Sequence, residues 1–325
     1  MRTRLSLSDY VSGILARDRL VLSRAITLVE SRLESDQALA RQVLEQLLPH
    51  TGKSVRVGIT GVPGVGKSTF IEAFGKQLTR QGKRLAVLAV DPTSQRSGGS
   101  LLGDKTRMET LSVDPLAYIR PSPAGNSLGG VAHRTRETML LCEAAGFDVI
   151  LVETVGVGQS ETLVHGMVDF FLLLMLAGAG DELQGMKRGI MELADALAIT
   201  KADGDNLAAA KRAKAEYQNA LHLFPPTGTG WFPPVMTCSA QTGDGIEAVW
   251  NIIQEHQTLT TRNGQRDRRR QAQNIEWLHS YIRQQLEMHF YNQPGMRERL
   301  ASVEEQVRTG TLLPIQAAEI LFRPA

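Results

Sequence analysis

Gly61-Val62-Pro63-Gly64-Val65-Gly66-Lys67-Ser68 stands between a short β-branched apolar run, 55–60, and a helix-compatible stretch, 68–81. That order of strand, glycine-rich loop and helix decides the fold. The eight residues match G-x-x-x-x-G-K-S at every required position, in the context where the pattern wraps phosphate. Glycines let successive backbone N–H groups turn inward around phosphate oxygens, and the following helix presents its positive end. Lys67 then reaches the β and γ phosphates of a nucleoside triphosphate, and the Ser68 hydroxyl ligates Mg²⁺. The expected nucleotide cradle is Gly61, Val62, Pro63, Gly64, Val65, Gly66, Lys67, Ser68 and Thr69.

Five further apolar runs follow at 85–90, 149–152, 170–176, 196–199 and 234–237. Helix-compatible stretches separate most of them: 131–145, 185–193, 206–223, and 245–257 after the last. Continuously apolar strands alternating with helices predict a three-layer α/β fold, its mainly parallel sheet covered on both faces. Before this core, residues 1–50 carry apolar positions at helical spacing and predict two or three short amphipathic helices. After it, 262–270 reads as a solvated basic connection, with helical stretches at 272–291 and 296–321. The expected organisation is a helical segment over 1–50, a nucleotide-binding domain over 51–260 and a helical arm over 261–325.

Composition narrows the partners. A net charge of +2 on 325 residues gives no case for nucleic acid or an acidic membrane. The most apolar run, 170–177, falls far short of the roughly 20 residues a spanning helix needs. Residues after Met1 show no signal-peptide core. The two cysteines, Cys142 and Cys238, have neither disulfide-framework nor zinc spacing, which suits a reducing cytoplasm.

A phosphate loop of this kind needs a carboxylate at a neighbouring strand end to hold Mg²⁺. Asp91, Asp104 and Glu153 are the candidates beside Ser68. Glu153 opens Glu153-Thr154-Val155-Gly156-Val157-Gly158-Gln159, where the Gly156 N–H can meet the γ-phosphate only while that phosphate is present. Thr200-Lys201-Ala202-Asp203 follows the fifth run. The Asp203 carboxylate can accept from guanine N1–H and N2–H₂, the Lys201 stem lies along the base, and adenine would leave the acid unpaired. After the sixth run, a backbone N–H of Cys238, Ser239 or Ala240 suits guanine O6. His133 and His165 have no matching ligand partners nearby and read as structural or surface residues.

With these elements in order, the chain resembles the MeaB/ArgK family of P-loop GTPases over nearly its whole length. Glu153 to Glu161 is the most specific stretch, supported by Asp91-Pro92-Thr93-Ser94 and by 177–185. The resemblance implies a homodimeric GTPase that serves adenosylcobalamin-dependent methylmalonyl-CoA mutase in cofactor loading, protection and reactivation. It also implies switch segments at 91–108 and 153–161, a mobile loop at 184–189 facing the mutase, and dimerisation through the C-terminal helices. Lys67, Glu153 and Gly156 would serve the hydrolysis of GTP to GDP and phosphate. Two departures from better-known GTPases stand out. Thr200 replaces the usual asparagine, which weakens the expected bracing of its loop. Val157 replaces a water-orienting glutamine, so intrinsic hydrolysis should be slow, with Gln159, Lys187, Arg188 or a partner supplying the missing group. The alternative activities are a kinase acting on periplasmic amino-acid transport proteins and a metal-insertion GTPase; the latter would need His- or Cys-rich clusters that this sequence lacks.

Overall fold

The computed structural model describes residues 4–90, 108–121, 128–154, 160–178, 188–223 and 230–323. Three helices open the chain: α1 (Leu7–Leu15), α2 (Arg19–Glu30) and α3 (Glu34–Leu47). A capping box between Ser6 and Asp9 starts the first, and the Asp18 carboxylate caps the second. The core then alternates through β1 (Val55–Gly61), α4 (Lys67–Arg80), β2 (Leu85–Val90), α5 (Glu109–Ser112), β3 (Ala117–Arg120), α6 (Leu128–Ala144) and β4 (Val149–Thr154). It continues through α7 (Ser160–His165), β5 (Phe170–Met175), α8 (Arg188–Leu193), β6 (Ala196–Ile199), α9 (Leu207–Leu221), β7 (Val235–Thr237) and α10 (Ile246–Arg262).

The seven strands form one sheet in the order β3-β2-β4-β1-β5-β6-β7, and every described pairing is parallel. Alternation explains the uninterrupted apolar runs. Ala86, Leu88, Val90, Ile150 and Val152 face a core shared with α1, α2, α3 and α6. Leu85, Val87, Val149 and Leu151 face the opposite core, with Phe70, Phe74 and Trp250. β2, β4, β5 and β6 are buried along their whole length, so their runs show no apolar–polar alternation. One strand escaped the sequence reading: β3 is four residues long, lies at the sheet edge, and carries Arg120 at its end.

The chain divides into two compact units, Met1–Gln273 and Asn274–Ala325. The first includes the start of α11 (Gln265–Tyr291), and here the structure corrects the solvated linker expected at 262–270. Helix begins at Gln265, and three of its arginines are inserted at the N-terminal edge of the sheet. Arg270 grips Asp169 with two hydrogen bonds of 2.7 Å and donates to the Gly52 and Ser54 carbonyls at 2.6 and 2.8 Å. Arg269 pairs with Asp195 at 3.1 Å, and Arg266 donates to Gly52 O at 3.2 Å. A guanidinium offers a fork of donors, so a sequence rich in arginine can be buried where matching oxygens converge. Within the second unit, α12 (Met296–Arg308) and α13 (Pro314–Phe322) enclose Met296, Val303, Ala317 and Leu321. On the α11 portion of this unit Ile275, Leu278, Ile282 and Leu286 are exposed.

Candidate functional site

β1 sits between β4 and β5 at the middle of the sheet, and its register aligns Ile59 with Glu153 and Gly61 with Leu174. The chain leaves β1 and β4 at the same carboxyl-terminal edge, the position where open parallel sheets bind ligands. Gly64 and Gly66 follow with φ of +76° and +90°. A Cβ at Gly64 would meet nothing within 4 Å, and one at Gly66 would meet only Lys201 Cε at 3.9 Å. Glycine is therefore required there by the left-handed backbone and not by crowding. Gly66 is also the N-cap of α4, so the loop ends where the positive end of a helix begins.

The Lys67 ammonium donates to the Gly61 carbonyl at 2.9 Å, across the loop. Burial lowers its pKa, while the charges of Glu153 and Glu161 act to raise it. Ser68 Oγ donates to Glu153 Oε1 at 3.4 Å, and both residues are buried. Beside them Thr154 Oγ1 donates to Thr60 Oγ1 at 2.8 Å, joining β4 to β1 one residue past the acid. Glu161, on α7, is buried as well. Pro63 and Thr69 are exposed, whereas Val62 and Val65 are buried beneath the loop. A hydroxyl and a carboxylate oxygen at this spacing are hard donors of the kind Mg²⁺ takes. Asp91, Asp104 and Gly156 lie outside the described residues, as do Gln159 and Lys187; for Arg188 only the helical backbone is described. Among the described residues no three His, Cys, Asp or Glu side chains cluster as metal ligands.

The loop after β6 is fastened directly to the phosphate loop. Thr200 Oγ1 donates to Val65 O at 2.8 Å, and Lys201 Nζ donates to Gly64 O at 2.9 Å. The threonine therefore braces this loop although it is shorter than asparagine, because β5 and β6 bring its hydroxyl close to the Val65 carbonyl. Lys201 has φ +55°, an uncommon left-handed conformation outside glycine. The Asn206 side chain donates to the Lys201 carbonyl at 2.7 Å and helps hold that turn.

Asp203 meets the loop after β7, where the buried Ser239 hydroxyl donates to its Oδ2. The same oxygen of Ser239 accepts the N–H groups of Gln241 and Thr242, each at 3.2 Å. Sequence reasoning assigned Ser239 a backbone contact and missed this side-chain role. The N–H of Cys238 donates to Ile199 O and that of Ser239 to Asp244 O, at 2.8 and 2.9 Å. Of the three residues proposed for guanine O6, Ala240 alone donates its N–H to none of the described residues. Lys67, Ser68, Glu153, Lys201, Asp203 and Ser239 thus gather along one edge of the sheet. The His165 ring lies edge-on to Phe171 at 5.7 Å, and burial pushes its pKa down to about 4.

Comparison with known proteins identifies the family. The family model described as "Methylmalonyl Co-A mutase-associated GTPase MeaB" matches residues 22–295. A putative GTPase of Caulobacter vibrioides is 54% identical over 318 residues, covering 98% of this chain and 97% of that protein. The mitochondrial methylmalonic aciduria type A homolog of Mus musculus is 49% identical over 322 residues, 96% of this chain and 78% of the relative. A crystal structure described as LAO/AO transport system kinase superposes with a TM-score of 0.76 at 39% identity, covering 99% of this chain and 98% of the other. The chain belongs to the MeaB family of P-loop GTPases, and it binds and hydrolyses GTP.

Proposed function

We propose that this GTPase is a switch serving an adenosylcobalamin-dependent methylmalonyl-CoA mutase, acting in cofactor loading, protection and reactivation. The observation that carries the reading is a family match that spans the sheet, the phosphate loop and the base-facing loop together. In the proposed reaction the backbone N–H groups of 61–68 hold the phosphates and Lys67 neutralises charge developing on the γ-phosphate as water attacks in line. Lys67 needs no rebuilding for this role, since its ammonium already lies across the loop on a carbonyl that phosphate can replace. Asp203, held by Ser239, accepts from the guanine N1–H and N2–H₂, while Ala240 N–H points to O6. Ser68 and Glu153, with Asp91 and Asp104, would hold Mg²⁺, which when bound supplies charge neutralisation between the β and γ phosphates. The γ-phosphate contact at Gly156 would then report whether GTP or GDP is present.

A homodimer, which the resemblance implies, would form through the second unit. Ile275, Leu278, Ile282 and Leu286 are between 44% and 64% exposed. Their spacing of three or four residues lays an apolar stripe along one side of α11, as a helix meant for a partner helix would.

The test is co-purification of a methylmalonyl-CoA mutase with the full chain loaded with GDP or with a non-hydrolysable GTP analogue. Recovery that depends on the nucleotide is expected; equal recovery in both states, with hydrolysis unchanged by added mutase, would overturn the switch. A transport-system kinase is the second reading, favoured only by the description of the structural neighbour. Label from the γ-phosphate on a protein, instead of in free phosphate, would establish it.

A further inference from the structure

The edge of the sheet opposite the phosphate loop holds a cleft of about 570 Å³ lined by three cations that form no ion pair among the described residues. Its walls come from the turn between α1 and α2, the starts of β1 and β4, the end of α6, and α10. Arg17, Lys53 and Lys83 line it, with His50 beside them. None of the three cations has a carboxylate within ion-pairing distance among the described residues. Neighbouring arginines at this same edge behave differently, since Arg56, Arg269 and Arg270 all meet carboxylates. Of the two acids that line the cleft, Glu143 is neutralised by an arginine and Asp148 bonds a backbone amide, which leaves three cations facing one uncompensated carboxylate. Glu143 receives Arg56 at 2.8 and 2.9 Å together with the Gly52 N–H. Asp148 accepts the Arg84 N–H at 2.8 Å.

Arg17 is held there at a conformational cost. Its φ is +66°, in the left-handed region that non-glycine residues seldom occupy. Its head packs on the bare face of Gly146, where a Cβ would lie 3.2 Å from Arg17 Nε and 3.4 Å from Arg84 Nη1. Two guanidiniums therefore converge on one glycine. Arg84 is held by the Ala145 and Gly146 carbonyls and by the Phe147 ring, but Arg17 has no such partners. Trp250 and the amide of Gln254 complete the opposite wall. The volume falls within the roughly 300–1,000 Å³ range of small-molecule sites.

We propose that this cleft binds a phosphorylated small molecule, with Arg17, Lys53 and Lys83 on its phosphates. Guanidinium and ammonium groups bind phosphate with charge-assisted hydrogen bonds, and an anion beside Arg17 offsets its repulsion with the neighbouring Arg84. The site is separate from the nucleotide cradle and owes nothing to the mutase reading. β1 joins the two, beginning at the cleft with Val55 and ending at Gly61.

The experiment is equilibrium dialysis of ³²P-labelled inorganic pyrophosphate against the full chain, saturated with GDP and excess magnesium so that the phosphate loop is filled. About one pyrophosphate per chain is expected. Arg17→Ala and, separately, Lys83→Ala should weaken its retention at least about ten-fold while leaving GDP affinity unchanged. Lys67→Ala should retain pyrophosphate like the parent. No retention on the GDP-saturated chain would overturn the proposal. Loss in Lys67→Ala with Arg17→Ala and Lys83→Ala unaffected would do the same, because the anion would then sit in the phosphate loop. Retention confined to vesicles of phosphatidylcholine with phosphatidic acid would replace the free small molecule with a lipid headgroup. Lys53→Ala, an exposed side chain, repeats the test without disturbing the turn at Arg17.

Discussion

The two edges of this sheet use polar residues in opposite ways. At the amino-terminal edge, Arg56, Arg269 and Arg270 lock onto Glu143, Asp195 and Asp169, and the oxygens they meet belong to the end of α6, the residues just before β5 and β6, and the segment before β1. At the carboxyl-terminal edge the functional side chains rest on replaceable partners: Lys67 on Gly61 O, Lys201 on Gly64 O, and Ser68 at 3.4 Å from Glu153. Closed ion pairs hold geometry and leave nothing for a ligand, whereas carbonyl contacts can give way to phosphate. The contrast suits the amino-terminal ion pairs to stability and the carboxyl-terminal contacts to the proposed chemistry. Substitutions at the two ends should therefore change different measurements.

The largest effect is expected from Asp169→Ala. Asp169 is buried, and although burial alone would raise its pKa, the Arg270 guanidinium holds the carboxyl below its usual range. Removing it strands Arg270 and takes away the acceptor of the Arg56 N–H at 3.0 Å. A loss of about 3–5 kcal/mol in unfolding free energy is expected, read by urea titration. Lys67→Ala should show the converse pattern. Hydrolysis should drop by about 10²–10³-fold with the urea midpoint nearly unchanged. If Lys67→Ala unfolded the protein, or Asp169→Ala left stability intact, the division of labour between the edges would be wrong.

That division was only half legible in the sequence. Gly61 to Ser68 reveals the phosphate loop because a local pattern of glycines carries the whole geometry, and the long buried strands betray themselves by apolar composition. The arginines of 262–270 were misjudged for the opposite reason. Their acceptors are Asp169, Asp195 and the Gly52 and Ser54 carbonyls, roughly 70 to 220 positions away in the chain. No local signal tells a buried guanidinium from a solvated one when its partner is that distant. The pairing of Ser239 with Asp203 was hidden in the same way, since it needs β6 and β7 side by side. β3 was missed because four residues at an edge give too short a period to read.

Acid should probe the amino-terminal edge selectively. His165 and His256 sit near Asp195 and Arg269; burial lowers both pKa values, His165 to about 4, with Arg269 adding to the effect and Asp195 opposing it. The unfolded chain therefore binds protons that the folded chain refuses, so stability is full above about pH 6.5 and falls as pH drops toward 4. His165 contributes up to about 3 kcal/mol of that fall. Glu137 works in the other direction, its carboxyl raised by burial to about 7, so its contribution is lost as pH rises from 4.5 through 7. Comparing the parent with His165→Gln separates the two, because Glu137 is common to both. The variant should show the shallower loss between pH 6.5 and 4. An identical slope would mean that His165 is protonated in the fold, against its packing on Phe171.

The smallest expected effect tests the seam within the carboxyl-terminal edge. Thr200→Val keeps the shape of the side chain but removes the hydroxyl that bonds Val65 O at 2.8 Å and Met175 O at 3.2 Å. A net loss of about 1 kcal/mol is expected. Where it is felt matters more than its size. If Thr200 braces the phosphate loop against the loop that carries Asp203, the change should weaken GTP affinity several-fold, with the urea midpoint shifting little. Val65 would be free to move away from Thr200, and Gly64 would lose its fixed distance to Lys201. If instead the hydroxyl only satisfies a buried carbonyl, stability would fall and GTP affinity would hold. The buried position of Thr200 permits both results, but its bond to the phosphate loop itself favours the first. A side chain shorter than asparagine would then serve as the brace because the sheet has brought the two loops within reach of it.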